Sequence, residues 1–241
     1  MKNLQQDKKQ IIVITGASRG IGKECALALA GKNNTLVLMA RKEDELKIVA
    51  TACEALGSQV QYMLIDLANT AQIKEKIQRI TQQFGHIDIL INNAGIWIEK
   101  PFMQGDMDQW DTALDVNLKS SIHLTRYCLD SMPSSGAVIF IGSTASKKTY
   151  AGGTNYCAAK FGLLGFANSL FEDIREKGIK VSTVLPGVVN TDMHKDDPKL
   201  SAEKMIQPQD VAQTVKFILS MPMNVCPTEI TLMPQYNPKN Y

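Results

Sequence analysis

Nothing in this 241-residue chain approaches the run of about 18 apolar residues that a membrane-spanning helix needs, so no membrane association is expected. Net charge is only +2 and no face-long basic run occurs, which argues against nucleic acid as a partner. Cysteines are few. Cys25, Cys53, Cys128, Cys157 and Cys226 are odd in number and unpatterned, which suits free thiols in a reducing cytosol. His86, His123 and His194 stand apart, without Cys or carboxylate partners at ligand spacing, so no metal site is expected. The opening MKNLQQDKKQ is polar, with no apolar segment between it and the first strand. No secretory signal is expected, and the chain reads as cytoplasmic. No Pro- or Ser-rich linker and no repeat divides it, and 44% hydrophobic residues suffice for one full core.

What the chain does have is alternation. Short apolar runs at 11–15, 35–40, 59–65, 87–91, 137–141, 179–185 and 228–233 read as strands. Helical patterns fall between them at 22–30, 43–56, 72–84, 106–132, 155–176 and 208–220. Asp106 and Gln109 resemble a capping box, and Pro208 stands at the favoured first position of the last helix. Strands that are apolar throughout are buried on both faces, and strand–helix alternation implies a parallel sheet. The expected fold is α/β: a single doubly wound domain over 11–234, with a seven-stranded, mainly parallel sheet and helices on both faces. A polar extension, 1–10, precedes it and a polar tail, 235–241, follows. The segment 192–207 has little apolar periodicity and follows the sixth strand, which places it as a lid over the carboxyl ends of the strands.

The chemistry gathers in three places. Thr15-Gly16-Ala17-Ser18-Arg19-Gly20-Ile21-Gly22 joins the first strand to the first helix. Glycines there allow a tight turn against a pyrophosphate, and the helix N-terminus offers free N–H groups to the anion. At the end of the second strand stands Ala40-Arg41, with no acid until Glu43. Arg41, with Arg19 in the glycine turn, suits the 2′-phosphate of NADP(H), so NADP(H) is the expected cofactor, with NAD(H) the second candidate. Finally, Tyr156 and Lys160 lie one helical turn apart, thirteen residues after Ser143. A phenol has a pKa of about 10, and bringing it to about 7 takes ~4 kcal/mol of preferential stabilisation of the phenolate. A lysine cation is one of the few groups able to supply much of that.

In order along the chain, the glycine turn Thr15-Gly-x-x-x-Gly-x-Gly22, Asp66, Asn92-Asn93-Ala94-Gly95, Asn117, Ser143, Tyr156-x-x-x-Lys160 and Pro186-Gly187-Val188-Val189-Asn190-Thr191 resemble the short-chain dehydrogenase/reductase family. The resemblance is nearest the branch of 3-oxoacyl-carrier-protein reductases and small carbonyl reductases. It implies a Rossmann fold and a catalytic set of Asn117, Ser143, Tyr156 and Lys160. It further implies cofactor contacts from Gly16, Ser18, Arg19, Gly20, Ile21, Gly22, Arg41, Asp66, Leu67, Asn93, Ala94, Gly95, Tyr156, Lys160, Pro186, Gly187, Val189 and Thr191. Asp66 and the Leu67 backbone would hold the adenine. Asn93 would brace the sheet at the adenosine end, and Val189 and Thr191 would hold the carboxamide. Lys160 would bond the nicotinamide ribose. Ser143 would bond the substrate oxygen, while Asn117, by distorting its helix, would hold a water linking Lys160 to solvent.

Hydride transfer to a carbonyl carbon builds negative charge on its oxygen, and Tyr156 would protonate that oxygen with Ser143 as a second donor. The expected activity is therefore NADPH-dependent reduction of a small ketone or aldehyde, reversible with the alcohol. The alternatives are a 3-oxoacyl-thioester reductase and a non-catalytic dinucleotide sensor. Arg126 is the one cation near the end of the long helix, so the basic patch that would meet an acidic carrier is missing. Ile96, Trp97, Thr144, Ala145, Tyr150, Asn155, Val188 and Met193 are the expected substrate-pocket residues, and Lys147 and Lys148 the cations nearest them. Small residues Ala158, Ala159, Gly162 and Gly165 would allow another helix close, so a homodimer or homotetramer is expected.

Overall fold

Gln10–Thr15 (β1) reads QIIVIT, and its β-branched residues take up a strand at the centre of the sheet. In the computed structural model, which describes residues 9–194 and 197–239, Asn34–Ala40 (β2), Gln59–Leu64 (β3), Ile89–Asn92 (β4), Ala137–Ile141 (β5), Lys180–Pro186 (β6) and Glu229–Leu232 (β7) complete the sheet. The order is β3-β2-β1-β4-β5-β6-β7, and every pairing, including that of the edge strand β7, is parallel. Side chains of β1 alternate between two apolar layers. Ile12 and Ile14 pack with Gly20–Leu29 (α1), Glu43–Ala55 (α2) and Pro208–Ser220 (α7). Ile11 and Val13 join the layer built on Ala71–Phe84 (α3), Ser120–Leu129 (α5) and Thr154–Ile174 (α6). Burying each such side chain contributes about 1.5–3 kcal/mol, which is why the central strands carry almost no polar residues.

The position of the site follows from the strand order. β1 is flanked by β2 and β4, so the connections leave its carboxyl end in opposite directions and open a crevice there. The loops after β1, β4, β5 and β6 all face that crevice.

The expected single helix over 106–132 is three pieces. Met107–Leu114 (α4) begins at Asp106, whose carboxylate accepts from the Asp108 and Gln109 N–H groups. Asp115–Lys119 is a π-helical turn, and α5 resumes the ordinary pitch, with the Ser120 N–H bonded to the Asp115 carbonyl five residues back. One extra residue in a turn leaves apolar spacing almost unchanged, so the pattern could not reveal it. The reciprocal capping box lies elsewhere, at Gln207 and Asp210, around Pro208.

The C-terminal tail is not a separate appendage. Lys239 forms an antiparallel bridge with Leu200, and the Ser201 N–H bonds the Pro238 carbonyl at 2.8 Å. The segment after β6 is closed at its base by a parallel bridge between Val189 and Ile206. Residues 1–8 of the expected polar extension, 195–196 of the lid segment and 240–241 of the tail lie outside the described residues.

Candidate active site

The carboxyl ends of the strands enclose a cavity of ≈ 1160 Å³. That exceeds the about 300–1,000 Å³ that a single drug-sized ligand occupies. One end is the glycine turn. Gly16 has φ of 62°, a left-handed conformation that favours glycine. A Cβ on Gly22 would stand 2.3 Å from the Gly16 carbonyl oxygen, so the turn closes only without a side chain there. No side chain caps the N-terminus of α1, and Gly20 and Ile21 line the cavity. This bare helix end fits the pyrophosphate of a dinucleotide.

Thr15, missed as a site residue, fastens this turn to the neighbouring strand. Its buried hydroxyl accepts from the Asn93 and Ala94 N–H groups at 3.0 and 3.1 Å and donates to the Ile91 carbonyl at 3.3 Å. Asn93 answers by donating its side-chain amide to the carbonyls of Thr15 and Gly16, at 2.8 and 3.2 Å. The loops after β1 and β4 are therefore one hydrogen-bonded unit.

Arg41 is exposed, lines the cavity, and among the described residues has no carboxylate within ion-pair distance. Arg19, the expected second cation, lines the cavity too, and its guanidinium pairs with Asp192 at 2.9 Å. Lys42 and Glu45, also missed, line this end and pair with each other at 2.7 Å. The Lys42 ammonium, and then a Ser18 hydrogen bond, hold the Glu45 carboxyl below its usual range. Glu43, the nearest acid in sequence, turns instead to Lys47. One cation thus remains unneutralised where an adenosine ribose would lie.

At the other end stand Ser143, Tyr156 and Lys160. Ser143 follows β5, and its hydroxyl oxygen accepts from the Ala145 N–H at 3.1 Å, which leaves its own proton to hydrogen-bond the Tyr156 oxygen. Tyr156 and Lys160 project from the first two turns of α6. The Lys160 ammonium donates to the Ile141 carbonyl at 3.0 Å and sits 5.7 Å from the centre of the Tyr156 ring. Burial pushes the Tyr156 phenol up to about 12, against a Ser143 hydrogen bond that favours the phenolate. Burial likewise pushes Lys160 down, to about 8. Desolvation is the largest effect on each of the two groups.

Asn117 lies in the π-helical turn, but its side chain does not reach the cavity. Its amide donates to the Ile96 carbonyl at 2.8 Å and accepts from the Ile96 N–H at 3.0 Å, so it positions the loop after β4. Gly22 also stands behind the cavity wall, packed under Gly16. The remaining expected cofactor residues, from Gly16 round to Thr191, all line the cavity. So do the expected substrate residues except Asn155, whose amide turns away to the Trp110 carbonyl at 2.9 Å. Lys148 lines the cavity, whereas Lys147 is tied to Glu229. His194 and Lys239 line it too. Lys239 carried no local signal, since it arrives through a long-range return of the chain, whereas His194 lies in the expected lid segment beside Met193.

The family model for short chain dehydrogenases matches residues 10–201. The chain belongs to the short-chain dehydrogenase/reductase family. An uncharacterised oxidoreductase of Staphylococcus saprophyticus is 31% identical over 232 residues, 95% of this chain and 98% of the relative. The 3-oxoacyl-[acyl-carrier-protein] reductase of Escherichia coli is 32% identical over 222 residues, 88% of this chain and 90% of the relative. Among solved structures, an alcohol dehydrogenase of the archaeon Thermococcus sibiricus, complexed with 5-hydroxy-NADP, superposes with a TM-score of 0.87 at 26% identity, covering 96% of this chain and 99% of that one. A short chain dehydrogenase of Burkholderia cenocepacia in complex with NADP gives 0.85 at 27% identity, covering 95% and 97%. As a family member this protein is an NAD(P)-dependent oxidoreductase acting on small molecules. No helix among the described residues is long and apolar enough to cross a membrane.

Proposed function

We propose that the protein is an NADPH-dependent reductase of small ketones or aldehydes, reversible with the alcohols. The observation that carries this reading is one cavity joining a bare, glycine-lined helix N-terminus to the Ser143–Tyr156–Lys160 cluster. A nicotinamide dinucleotide, when bound, supplies the hydride. The glycine turn and the N–H groups of α1 hold its pyrophosphate, Asp66 and Leu67 its adenine, and Arg41 its 2′-phosphate. Relatives of this fold carrying NADP or NADPH support the same preference.

Tyr156 acts as general acid in the reductive direction. At neutral pH a phenol pushed up to about 12 keeps its proton, and an alkoxide is a far stronger base than a phenolate, so transfer runs downhill. Lys160 stabilises the phenolate left behind, and Ser143 gives a second hydrogen bond to the growing charge. In the oxidative direction Tyr156 must first lose its proton, so the rate rises with pH.

A 3-oxoacyl-thioester reductase is the second reading, favoured by the name of the Escherichia coli relative. Against an acidic carrier, Arg126 is neutralised by Asp130 at the end of α5. We place the protein in the cytosol as a homodimer or homotetramer. Gly165, where a Cβ would meet nothing within 4 Å, and Phe161, 43% exposed, leave one face of α6 open to a second copy.

The test is loss of NADPH absorbance over a panel of carbonyl compounds, with Tyr156→Phe as control. The variant is expected to bind NADPH within about twofold of wild type and to lose at least about 100-fold in kcat, the scale of general acid catalysis. Unchanged turnover would remove Tyr156 from the mechanism.

A further inference from the structure

The substrate end of the cavity has an aromatic rim that proton transfer and cofactor binding leave unused. Trp97, in the loop after β4, donates its indole N–H to the Tyr150 hydroxyl at 2.8 Å. The Trp97 ring also meets the His194 ring, with centroids 5.0 Å apart and planes tilted by 57°. The loop after β4, the loop between β5 and α6, and the segment after β6 are thus brought together by three side chains. All three line the same cavity as Tyr156.

The polar atoms of this rim are incompletely used. The Tyr150 hydroxyl accepts from Trp97, which leaves its own proton to donate. The Nδ1 atom of His194 is buried without a hydrogen-bond partner. Desolvation pushes this imidazole further below neutrality, so it is uncharged at pH 7. Flat walls with free hydrogen-bonding groups complement a ring that carries a polar substituent. A linear acyl chain offers these groups nothing and must freeze each of its torsions to enter.

Resting on the reductase reading above, we propose that Trp97, Tyr150 and His194 are the specificity-determining residues, and that the substrate is an aromatic ketone or aldehyde bearing a hydrogen-bonding group on its ring. Ring-on-ring contacts of this kind are worth about three- to tenfold in affinity beyond the area they bury. The segment carrying His194 is held over the cavity at its base by the Val189–Ile206 bridge and further along by the Leu200–Lys239 bridge, so the rim stays assembled.

The experiment compares NADPH-dependent reduction of acetophenone, para-hydroxyacetophenone and methyl hexyl ketone, the linear ketone matching acetophenone in carbon count. Wild type is expected to favour acetophenone over the linear ketone by about tenfold in kcat/KM, and the hydroxy compound by a further few-fold. Trp97→Ala should remove most of the ring preference through KM, with kcat within about twofold. His194→Phe, which keeps a ring at the exposed rim, should erase only the advantage of the hydroxyl group. Trp97→Phe guards against misfolding of the alanine variant and should keep about half or more of the preference. Equal or better use of the linear ketone by wild type would overturn the proposal and leave the reductase reading standing. Ratios unchanged in both Trp97→Ala and His194→Phe would do the same. Reduction of none of the three, or of any other carbonyl in the panel, would overturn both.

Discussion

Replacing Lys160 by methionine is expected to stabilise the protein while it destroys activity. The ammonium is buried, and its pKa lies at about 8 in the fold against an ordinary 10.5. Holding it charged in the folded state at pH 7 therefore costs about 3 kcal/mol. Methionine has nearly the same length and no charge, so it recovers that cost. It also loses the charge-assisted hydrogen bond to the Ile141 carbonyl, worth about 2 kcal/mol. The net gain of about 1 kcal/mol corresponds to a rise in Tm of about 2–4 °C for a domain of this size. The sign follows from proton counting. Below about pH 8 both folded and unfolded chains carry the charge, and the full cost applies. Between about 8 and 10.5 the folded lysine has released its proton while the unfolded one keeps it, so wild-type stability rises with pH. At about pH 9.5 the cost has fallen to about 1 kcal/mol, and the advantage of the variant should vanish. The assay is thermal unfolding of both proteins without added nucleotide at the two pH values, alongside NADPH turnover. A variant that melts at or below wild type at pH 7 would refute the reasoning, since it would mean that Lys160 is charged at little cost.

Arg41→Asp should lower kcat/KM for NADPH about tenfold to hundredfold and favour NADH, because it removes a cation that lines the cavity and, among the described residues, has no carboxylate partner; an unchanged ratio of the two cofactors would show that the 2′-phosphate lies elsewhere. Thr15→Val keeps the shape of the side chain but strands the Asn93 and Ala94 N–H groups, so urea unfolding should show a loss of about 2–4 kcal/mol, with Thr15→Ser restoring most of it. A loss under about 1 kcal/mol would mean that the two loops are not tied through that hydroxyl.

Much of the fold was readable from local pattern. The strands β1, β2 and β5 are largely apolar on both sides because helices cover both faces of a parallel sheet, and that burial writes itself into consecutive residues. Pro208 and the glycine turn marked helix starts because their backbone constraints are properties of single residues. The helix distortion at Asn117 was implied by the family resemblance and not by the apolar pattern, because an inserted residue barely disturbs apolar spacing. Thr15 stood at the head of the glycine turn, but no local pattern told that its hydroxyl serves two N–H groups of another loop.

Local order along the chain therefore determined the doubly wound sheet, the glycine turn, and the presence of a serine, a tyrosine and a lysine on adjoining loops and one helix. Tertiary structure alone decided that Arg19 is spent on Asp192 while Arg41 is not, and that Asn117 faces a backbone and not the cavity. It alone brought the His194 ring onto Trp97 and the returning tail onto Leu200. The physical reason is range. Backbone propensity and burial periodicity act between near neighbours and leave a mark in the sequence. Charge pairing, desolvation and ring contact depend on which distant segments the sheet carries to its carboxyl edge.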